Sequence, residues 1–269
     1  MSKYKQIHGT SKNVRRVGRI DIPGGGQVTV VDKRAYIGHM GAPYGTTLLD
    51  VSDPKNIRTL SHVEIPEGVH THKVRAHGDI MLTNVERHGK GSTAQGGLKV
   101  YDVSNPAKPK EIAFFHATEA GVHRFDFDGR YVYFAPLAAG DNEGIALRLD
   151  TKGDFFSPGS WTALDGKGVG LGTCVGAVCD GRFIYYVPYA RSVAVRYDTF
   201  GAFEDPESWE AYNAAGTTGM NTRGYDGGCY DGRYIYYVPF HEGENSRDGF
   251  HCRLLRYDTM KGFGDPSAW

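Results

Sequence analysis

Three histidines stand at positions that a repeated sequence pattern brings together. His70 and His72 are two residues apart in the run 69–75, so both side chains leave the same face of an extended strand. His123 occupies the position of His72 in the next copy of the repeat. Neutral imidazole nitrogens are common ligands of transition metals. We therefore expect a divalent transition metal ion on His70, His72 and His123, with Asp226 from a later copy as the candidate fourth ligand.

Further polar residues fall on the same expected strands, where they would surround a bound small molecule. Buried charges are stable only when they are paired or bound to something, so their concentration in some copies of the repeat marks a candidate site. The copy that contains Val175 and Gly176 has small apolar residues instead. The catalytic residues that we predict are Arg124, Asp226 and Arg223. The predicted substrate-binding residues are Gln27, Lys73, Arg75, Asp126 and Tyr225.

These residues allow more than one function. The first hypothesis is a metal-dependent enzyme acting on a small molecule, with arginine and carboxylate groups orienting the substrate or moving protons. The second is a non-catalytic binding or scaffold protein, in which the histidines only hydrogen-bond to Arg75, Asp126 and the backbone. A glycosidase would need two facing carboxylates, for which Asp126 and Asp226 are the candidates. No Gly-x-Ser-x-Gly turn occurs, so a serine nucleophile of that type is excluded.

The remaining histidines in the recognisable part of the pattern have no matching position in other copies. We expect them on the surface or in loops: His39, His88, His116, His241 and His251.

The elements that must position the candidate site repeat along the chain. The triplet Asp-Gly-Arg at 128–130, 180–182 and 231–233 is each time followed by an aromatic, β-branched run, and weaker copies begin at Asp32 and His77. The turns recur every 45 to 52 residues, which indicates a repeat architecture. Asp-Gly favours a hairpin turn with positive φ, and the run after it favours a buried strand.

Each copy has the same order of elements. An inner strand leads to the turn, the aromatic strand follows, and a third strand ends in an aspartate. We expect these aspartates to cap the following turn rather than to do chemistry. They are Asp50, Asp102, Asp150, Asp198 and Asp258.

The repeats predict an all-β, five-bladed β-propeller that forms a single domain over residues 1–269. The expected blades are about 27–66, 69–118, 121–165, 173–215 and 224–269. Residues 16–23 resemble the end of the first repeat, with Ile20 and Ile22 matching Val63 and Ile65. We expect this N-terminal strand to complete the C-terminal blade and close the ring. An open solenoid is the alternative.

Composition limits the partners and the compartment. The chain has 31 basic and 31 acidic residues, so no net charge attracts nucleic acid or an anionic membrane. No signal-peptide core or membrane-spanning run is visible, which predicts a cytoplasmic protein. Four cysteines without a Cys-x-x-Cys pair are expected to be buried free thiols. The oligomeric state stays open.

Two parts of the chain resemble known propeller families. The runs Leu-Asp-Val-Ser-Asp-Pro at 49–54 and Tyr-Asp-Val-Ser-Asn-Pro at 101–106, with the stretches 69–84 and 121–134, make about residues 27–135 similar to the LVIVD-repeat β-propellers. In the region of the histidines, this family resembles other propellers in which several imidazoles surround a metal ion in the central channel. In the second half, Phe-x-x-Pro-x-x-Trp at 155–161 resembles Kelch-like blades, as do 203–209 and 263–269 (Phe-x-x-Pro-x-x-Trp). The chain is either a natural hybrid or a fusion of two partial propellers.

Overall fold

The computed structural model describes residues 13–89, 91–117, 121–134, 144–189, 192–242 and 249–269. Within them the strands form five separate antiparallel sheets arranged as a five-bladed β-propeller, so the predicted fold class is confirmed. The helical elements of this part of the chain are short 3-10 turns at Pro158–Ser160, Gly166–Val169, Pro206–Ser208, Thr217–Gly219 and Pro266–Ala268. No helix in the described ranges is both long enough and apolar enough to cross a bilayer.

The first two blades contain nine strands between them. Blade 1 is β1 (Gly25–Val31), β2 (Arg34–Gly41), β3 (Tyr44–Asp50) and β4 (Arg58–Glu64). Blade 2 is β5 (Val69–His70), β6 (Val74–His77), β7 (Ile80–Arg87), β8 (Gly97–Asp102) and β9 (Lys110–His116). The inner strand of blade 2 is interrupted, since β5 and β6 both pair with β7.

The remaining blades follow the same meander. Blade 3 is β10 (Phe125–Phe127), β11 (Tyr131–Phe134), β12 (Ile145–Asp150) and β13 (Trp161–Asp165). Blade 4 is β14 (Cys174–Cys179), β15 (Phe183–Pro188), β16 (Val193–Asp198) and β17 (Trp209–Asn213). Blade 5 has three strands in the described residues: β18 (Tyr225–Tyr230), β19 (Tyr234–Pro239) and β20 (Leu255–Asp258).

The Asp-Gly turns have one geometry in blades 3, 4 and 5. In blade 4, one oxygen of Asp180 accepts the backbone N–H groups of Arg182 and Phe183, and the other accepts the Tyr185 hydroxyl at 2.8 Å. Gly181 between them has φ 101°, a value that side chains disfavour. The repeated Asp-Gly-Arg-aromatic signature is therefore a set of local hydrogen bonds that fix where each aromatic strand starts.

The aspartates that end the third strands cap the next turn, as the sequence predicts. In all five blades a side-chain oxygen accepts the backbone N–H two residues later, and the acceptors are Asp50, Asp102, Asp150, Asp198 and Asp258. The distances are 2.8 to 3.1 Å. In blades 3, 4 and 5 the same carboxylate also receives the arginine of the Asp-Gly-Arg turn, for example Arg182 on Asp198.

Apolar contacts join neighbouring blades in sequence order. One buried cluster combines Tyr36 of blade 1 with Met81 of blade 2, and another combines Leu82 of blade 2 with Phe125 of blade 3. Corresponding clusters join blade 3 to blade 4 and blade 4 to blade 5. Among the described residues, no buried cluster joins blade 5 to blade 1. Each of the four clusters that join two blades contains aromatic residues of the repeats, which bury large apolar areas.

The prediction of a closing strand is wrong. Residues 16–23 contain no strand, and β20 has no outer partner in the described part of the chain. Ile20 and Ile22 instead pack against Ala35, Ile37 and Leu49 of blade 1. This apolar face is much nearer along the chain than blade 5, and closing a shorter loop costs less conformational entropy.

The expectation of buried cysteines holds for only part of the set. All four thiols are free, and Cys174 is buried in β14 while Cys179 is half-buried. Cys229 and Cys252 are exposed, which corrects the prediction. Cys229 pairs with Tyr236 on the face of blade 5 opposite its shared core with blade 4, and no described blade covers that face.

Candidate channel site

A break in the inner strand of blade 2 positions the first residues of the site. Between β5 and β6, residues 71–73 belong to no strand, and the backbone and side chain of the buried Asn84 both hydrogen-bond to Lys73. Its oxygen accepts the Lys73 N–H at 2.9 Å, and its amide donates to the Val122 carbonyl of blade 3 at 3.1 Å. Asn84 thereby ties the loop that carries His72 and Lys73 to the segment that carries His123.

Close packing against blade 1 holds the other side of this loop. The Gln27 N–H donates to the His72 carbonyl at 2.8 Å. A Cβ at Gly38 would lie 2.5 Å from the Thr71 carbonyl oxygen, so only glycine leaves room for the loop there. His72 is consequently 6% exposed, although it belongs to no strand.

A glutamate lies at the centre of the histidines. One oxygen of Glu86, on β7, accepts hydrogen bonds from His70 Nε2 at 2.9 Å and from His123 Nδ1 at 2.8 Å. The His72 ring is next to both imidazoles, with ring centroids 4.0 Å from His70 and 5.5 Å from His123. The predicted convergence of the three histidines is therefore present, and Glu86 is an additional member that the sequence analysis missed.

The protonation states in this cluster differ between neighbours. Burial lowers the pKa of His72 to about 3, assisted by the charges of Lys73 and His70, so its ring is neutral near pH 7. Burial would also lower the pKa of His123, but hydrogen bonds to Asp226 and Glu86 raise it above its ordinary value. Burial would raise the pKa of Glu86, but the hydrogen bonds and charges of His123 and His70 hold it well below its usual range.

Three of these groups have the spacing of metal ligands. One ligand atom each from His70, His72 and Glu86 lies within 4.8 Å of the other two. Donor atoms this close can reach metal bond lengths of about 2.0–2.2 Å by side-chain rotation. The Nδ1 atoms of His70 and His72 are buried and have no hydrogen-bond partner in the described residues. Two imidazoles and a carboxylate are a donor set that zinc and similar ions use.

Two further ion pairs join inner segments of different blades. Arg124 of blade 3 donates to Asp226 of blade 5 at 3.0 Å, and Asp226 is also 3.5 Å from His123 Nε2. Although burial would raise it, the pKa of Asp226 is lowered, because His123 hydrogen-bonds to the carboxylate and Arg124 attracts it. A Cβ at Gly176 would lie 2.4 Å from the Arg124 Cβ, so the small residue in blade 4 makes room for this arginine.

The second ion pair joins the first three blades. Arg75 donates to Asp126 of blade 3 at 2.7 Å and to the Gln27 side-chain oxygen of blade 1 at 2.7 Å. The other oxygen of Asp126 accepts the Cys179 N–H of blade 4 at 2.7 Å. Asp126 thus holds an arginine and a backbone group in fixed positions, a structural role that occupies both oxygens.

A small cavity lies where the inner strands converge. It is lined by residues of all five blades, including Gln27, Lys73, Arg75, Arg124 and Gly227. Lys73 is 7% exposed, and its pKa is lowered to about 8 chiefly by burial, with Arg124 repelling its charge and Asp226 attracting it. Most of the predicted substrate-binding residues therefore do lie around one cavity.

Two predicted site residues lie outside this group. Arg223 is exposed, and no hydrogen bond or ion pair in the described residues joins it to the channel cluster. Tyr225 is fully buried in the core between blades 4 and 5, where it contacts Tyr237 and His251. Its hydroxyl has no partner among the described residues.

The expectation for the unmatched histidines is wrong for His39 and holds for His88, which is exposed and lies outside the strands. His39 is 2% exposed on β2, where its ring nitrogens contact the Thr47 hydroxyl at 2.7 Å and the Gly24 carbonyl at 3.1 Å. His88 stacks on His70 with ring centroids 4.5 Å apart, so it borders the candidate site. Position in the repeat did not reveal either contact, because both depend on packing between strands.

The sequence contains a signal that would have found Glu86. Counting outward along both strands from the Gly78 hairpin turn places His70 opposite residue 86 or 87, and the observed partner of His70 is Glu86. A carboxylate directly across a strand pair from a histidine is within contact distance of it. Glu86 lies on the second strand of its blade, so the equivalence of inner-strand positions between repeats does not point to it.

Comparisons with known proteins show the fold and do not show a family. No family model matches the chain, and no curated protein matches it. The solved structure of Hsv2 from Kluyveromyces marxianus is similar, with a TM-score of 0.53, 8% identity, and coverage of 81% of this chain and 60% of that one. A functionally unknown protein from Desulfotomaculum acetoxidans has a TM-score of 0.51 and 14% identity, over 88% of this chain and 69% of that one.

An enzyme also occurs among the structural neighbours. The α-L-arabinanase of Cellvibrio cellulosa has a TM-score of 0.41 and 12% identity, over 89% of this chain and 92% of its own. At such identities the likeness concerns the fold alone, because one fold supports many functions. The chain spans less than two thirds of the Hsv2 chain.

Proposed function

We propose that the protein is an enzyme that acts on a small molecule in the propeller channel and holds a divalent transition metal ion on His70, His72 and Glu86. The observation that carries the proposal is the spacing of the three ligand atoms, within 4.8 Å of one another. Compared with the sequence prediction, Glu86 replaces His123 as the third ligand. His123 then contacts the ligand carboxylate through its 2.8 Å hydrogen bond and orients it.

The state of each residue supports this assignment. His72 is neutral near pH 7, so its nitrogen lone pairs are available to a metal. Glu86 is ionised, and an anionic ligand lowers the cost of placing a divalent cation in a buried position. The metal would supply Lewis-acid chemistry when bound. Arg124 and Asp226, which face each other at 3.0 Å beside His123, are the protein groups available to orient a substrate and hold a proton.

The metal site is tested with protein purified without an affinity tag. We expect chelator-treated protein to bind Co²⁺ with visible absorption bands typical of low coordination number, and to bind Zn²⁺ in competition with it. His72→Ala should weaken binding at least a hundredfold, since one of three ligands is lost. His62→Ala is the matched control, because His62 contacts Thr47 in blade 1 and lies outside the cluster. Equal metal binding by wild type and His72→Ala would refute the site.

A non-catalytic binding propeller is the second candidate. It is favoured by the hydrogen bonds of His70 and His123 to Glu86, which hold both rings in position without a metal. Under this alternative the channel binds a ligand but no metal. Metal analysis that finds no ion above the level of the His72→Ala variant, together with retained ligand binding, would favour it.

We also propose that residues 27–135 are related to the LVIVD-repeat propellers and that the second half is related to Kelch-like blades. The two Asp-Val-Ser-(Asp/Asn)-Pro motifs support the first relation. The second rests on the three Phe-x-x-Pro-x-x-Trp segments, in which each tryptophan indole donates to the phenylalanine carbonyl six residues earlier.

A further inference from the structure

The cavity at the convergence of the inner strands has charged groups of one sign. Its charged lining residues are Lys73, Arg75 and Arg124, and the other lining residues carry no charge. Each of the three cations comes from an inner segment of blade 2 or blade 3, whereas blades 4 and 5 contribute Ala177, Val187 and glycines. Because Arg75 is paired with Asp126 and Arg124 with Asp226, Lys73 is the lining charge that no described carboxylate pairs with directly.

The carboxylates nearby are already engaged. Asp126 accepts the Arg75 side chain at 2.7 Å, the Cys179 N–H at 2.7 Å and the Phe127 N–H at 3.1 Å. Asp226 is shared between Arg124 at 3.0 Å and His123 at 3.5 Å. Glu86 accepts two histidine hydrogen bonds.

The cavity wall contains one cation without an ion-pair partner and one arginine N–H without an acceptor in the described residues. Lys73 is 7% exposed and forms no ion pair with any described residue. The Nε–H of Arg124 is a buried donor that has no partner in the described ranges. A buried cation without a partner is costly, and an anion that contacts both groups would remove that cost.

We infer that this cavity binds the anionic group of a small molecule, a compact oxyanion such as a carboxylate or phosphate, between Lys73 and Arg124. Arginine and lysine are the side chains that proteins use for these groups. The cavity volume is about 10 Å³, about the space of one water molecule, so we expect the flexible Lys73 side chain to move aside when a small oxyanion binds.

The same inference names a substrate class for the proposed enzyme, and in that respect it rests on the proposed function. Asp226 contacts both His123 at 3.5 Å and Arg124 at 3.0 Å, so the anion cavity adjoins the histidine cluster. An organic acid or phosphate ester bound by its anionic group would extend its remaining atoms toward His70, His72 and Glu86. Binding of the anion itself requires no metal.

The test uses full-length, untagged, chelator-treated protein in a low-salt buffer, titrated separately with inorganic phosphate and with malonate by calorimetry and by chemical-shift changes. We expect saturable binding of at least one probe. Lys73→Met should weaken it at least tenfold, while Lys99→Met should leave it unchanged. Lys99 is a matched control, because it is a partly buried lysine whose charge is already paired with Glu111 at 2.9 Å.

The outcomes separate this inference from the metal site. His70→Ala should lose metal binding and keep anion binding, and Lys73→Met should show the reverse. Absence of metal binding with a Lys73-dependent anion site would refute the proposed function and leave the anion site standing. Lys73→Gln, checked for folding by circular dichroism, replaces the methionine variant if that variant does not fold. Absence of saturable binding by the wild type, or equal binding by the Lys73 variants, would refute the anion site.

Discussion

Glu86 receives hydrogen bonds from histidines of two different blades, and through this contact Glu86 and His123 shift each other's pKa. His70 reaches it from blade 2 and His123 from blade 3, at 2.9 and 2.8 Å. The carboxylate and Asp226 together raise the pKa of His123 against the opposing effect of burial. A group with a raised folded-state pKa stabilises the fold below its unfolded pKa of about 6.5 and loses that contribution as the pH rises through the folded value.

Replacing Glu86 by glutamine tests this coupling. In chelator-treated Glu86→Gln protein we expect the pKa of His123 to fall, because the remaining Asp226 must offset burial alone. Histidine-resolved NMR titration measures the shift. The backbone amide signal of His116, which is exposed on blade 2, should be unchanged and serves as the control for folding. An unchanged His123 titration would contradict the role assigned to Glu86.

At the scale of single elements, the strand-ending aspartates connect each hairpin to the next turn. Asp198 accepts the Phe200 N–H at 3.1 Å and two hydrogen bonds from the Arg182 guanidinium. The Arg182 hydrogen bond, opposed by burial, lowers the pKa of Asp198. Because the folded-state pKa is lowered, this carboxylate stabilises the fold above its unfolded pKa of about 3.9, and that contribution is lost as the pH falls below it.

Removal of the Asp198 side chain should destabilise the protein modestly. We expect Asp198→Ala to lower the free energy of unfolding by about 1 kcal/mol at pH 7, since a backbone donor and an exposed arginine lose their acceptor. The difference from wild type should shrink near pH 3. Urea denaturation at both pH values measures it. Glu204→Ala, at an exposed site on the following turn, should behave as the wild type, and an equal loss in both variants would exclude a specific cap.

At the scale of the whole molecule, the blade interfaces differ in their apolar contacts. Four buried clusters join consecutive blades, and the face of blade 1 that points away from blade 2 is covered by the N-terminal segment instead of by blade 5. On the far face of blade 5, Val238 is 45% exposed and Leu254 is 55% exposed. The N-terminal segment therefore acts as a cover for one blade.

A double-mutant cycle tests the position of this segment. Ile22→Ala should lower the free energy of unfolding by about 1 kcal/mol, because a half-buried isoleucine loses part of its contact with blade 1. Its effect should be non-additive with that of Ile37→Ala, as expected for residues in contact. Val17→Ala is the control, since Val17 is 50% exposed. If the effects of Ile22→Ala and Ile37→Ala on the free energy of unfolding were additive, the N-terminal segment would not contact blade 1 at this position.

The blade number and the local turns were predictable because they depend on short-range chemistry. Asp-Gly-Arg followed by an aromatic run recurs with a nearly constant period, and each aspartate bonds to backbone groups within three residues. The convergence of His70, His72 and His123 was predictable for a related reason. Copies of one repeat occupy equivalent positions around a common axis, so equal positions in the repeat become neighbours in space.

The sequence by itself determined the repeat, the five blades, the capped turns and the meeting of the histidines. Only the tertiary structure decided that Glu86 joins the histidines, that Lys73 has no ion-pair partner among the described residues, and that Ile20 and Ile22 cover blade 1. The physical reason is that these features depend on which side chains approach across strands and between blades. The period of the repeat sets the order of the blades. Which charged side chains form ion pairs, and which apolar face the N-terminal segment covers, depends on how the blades pack against one another.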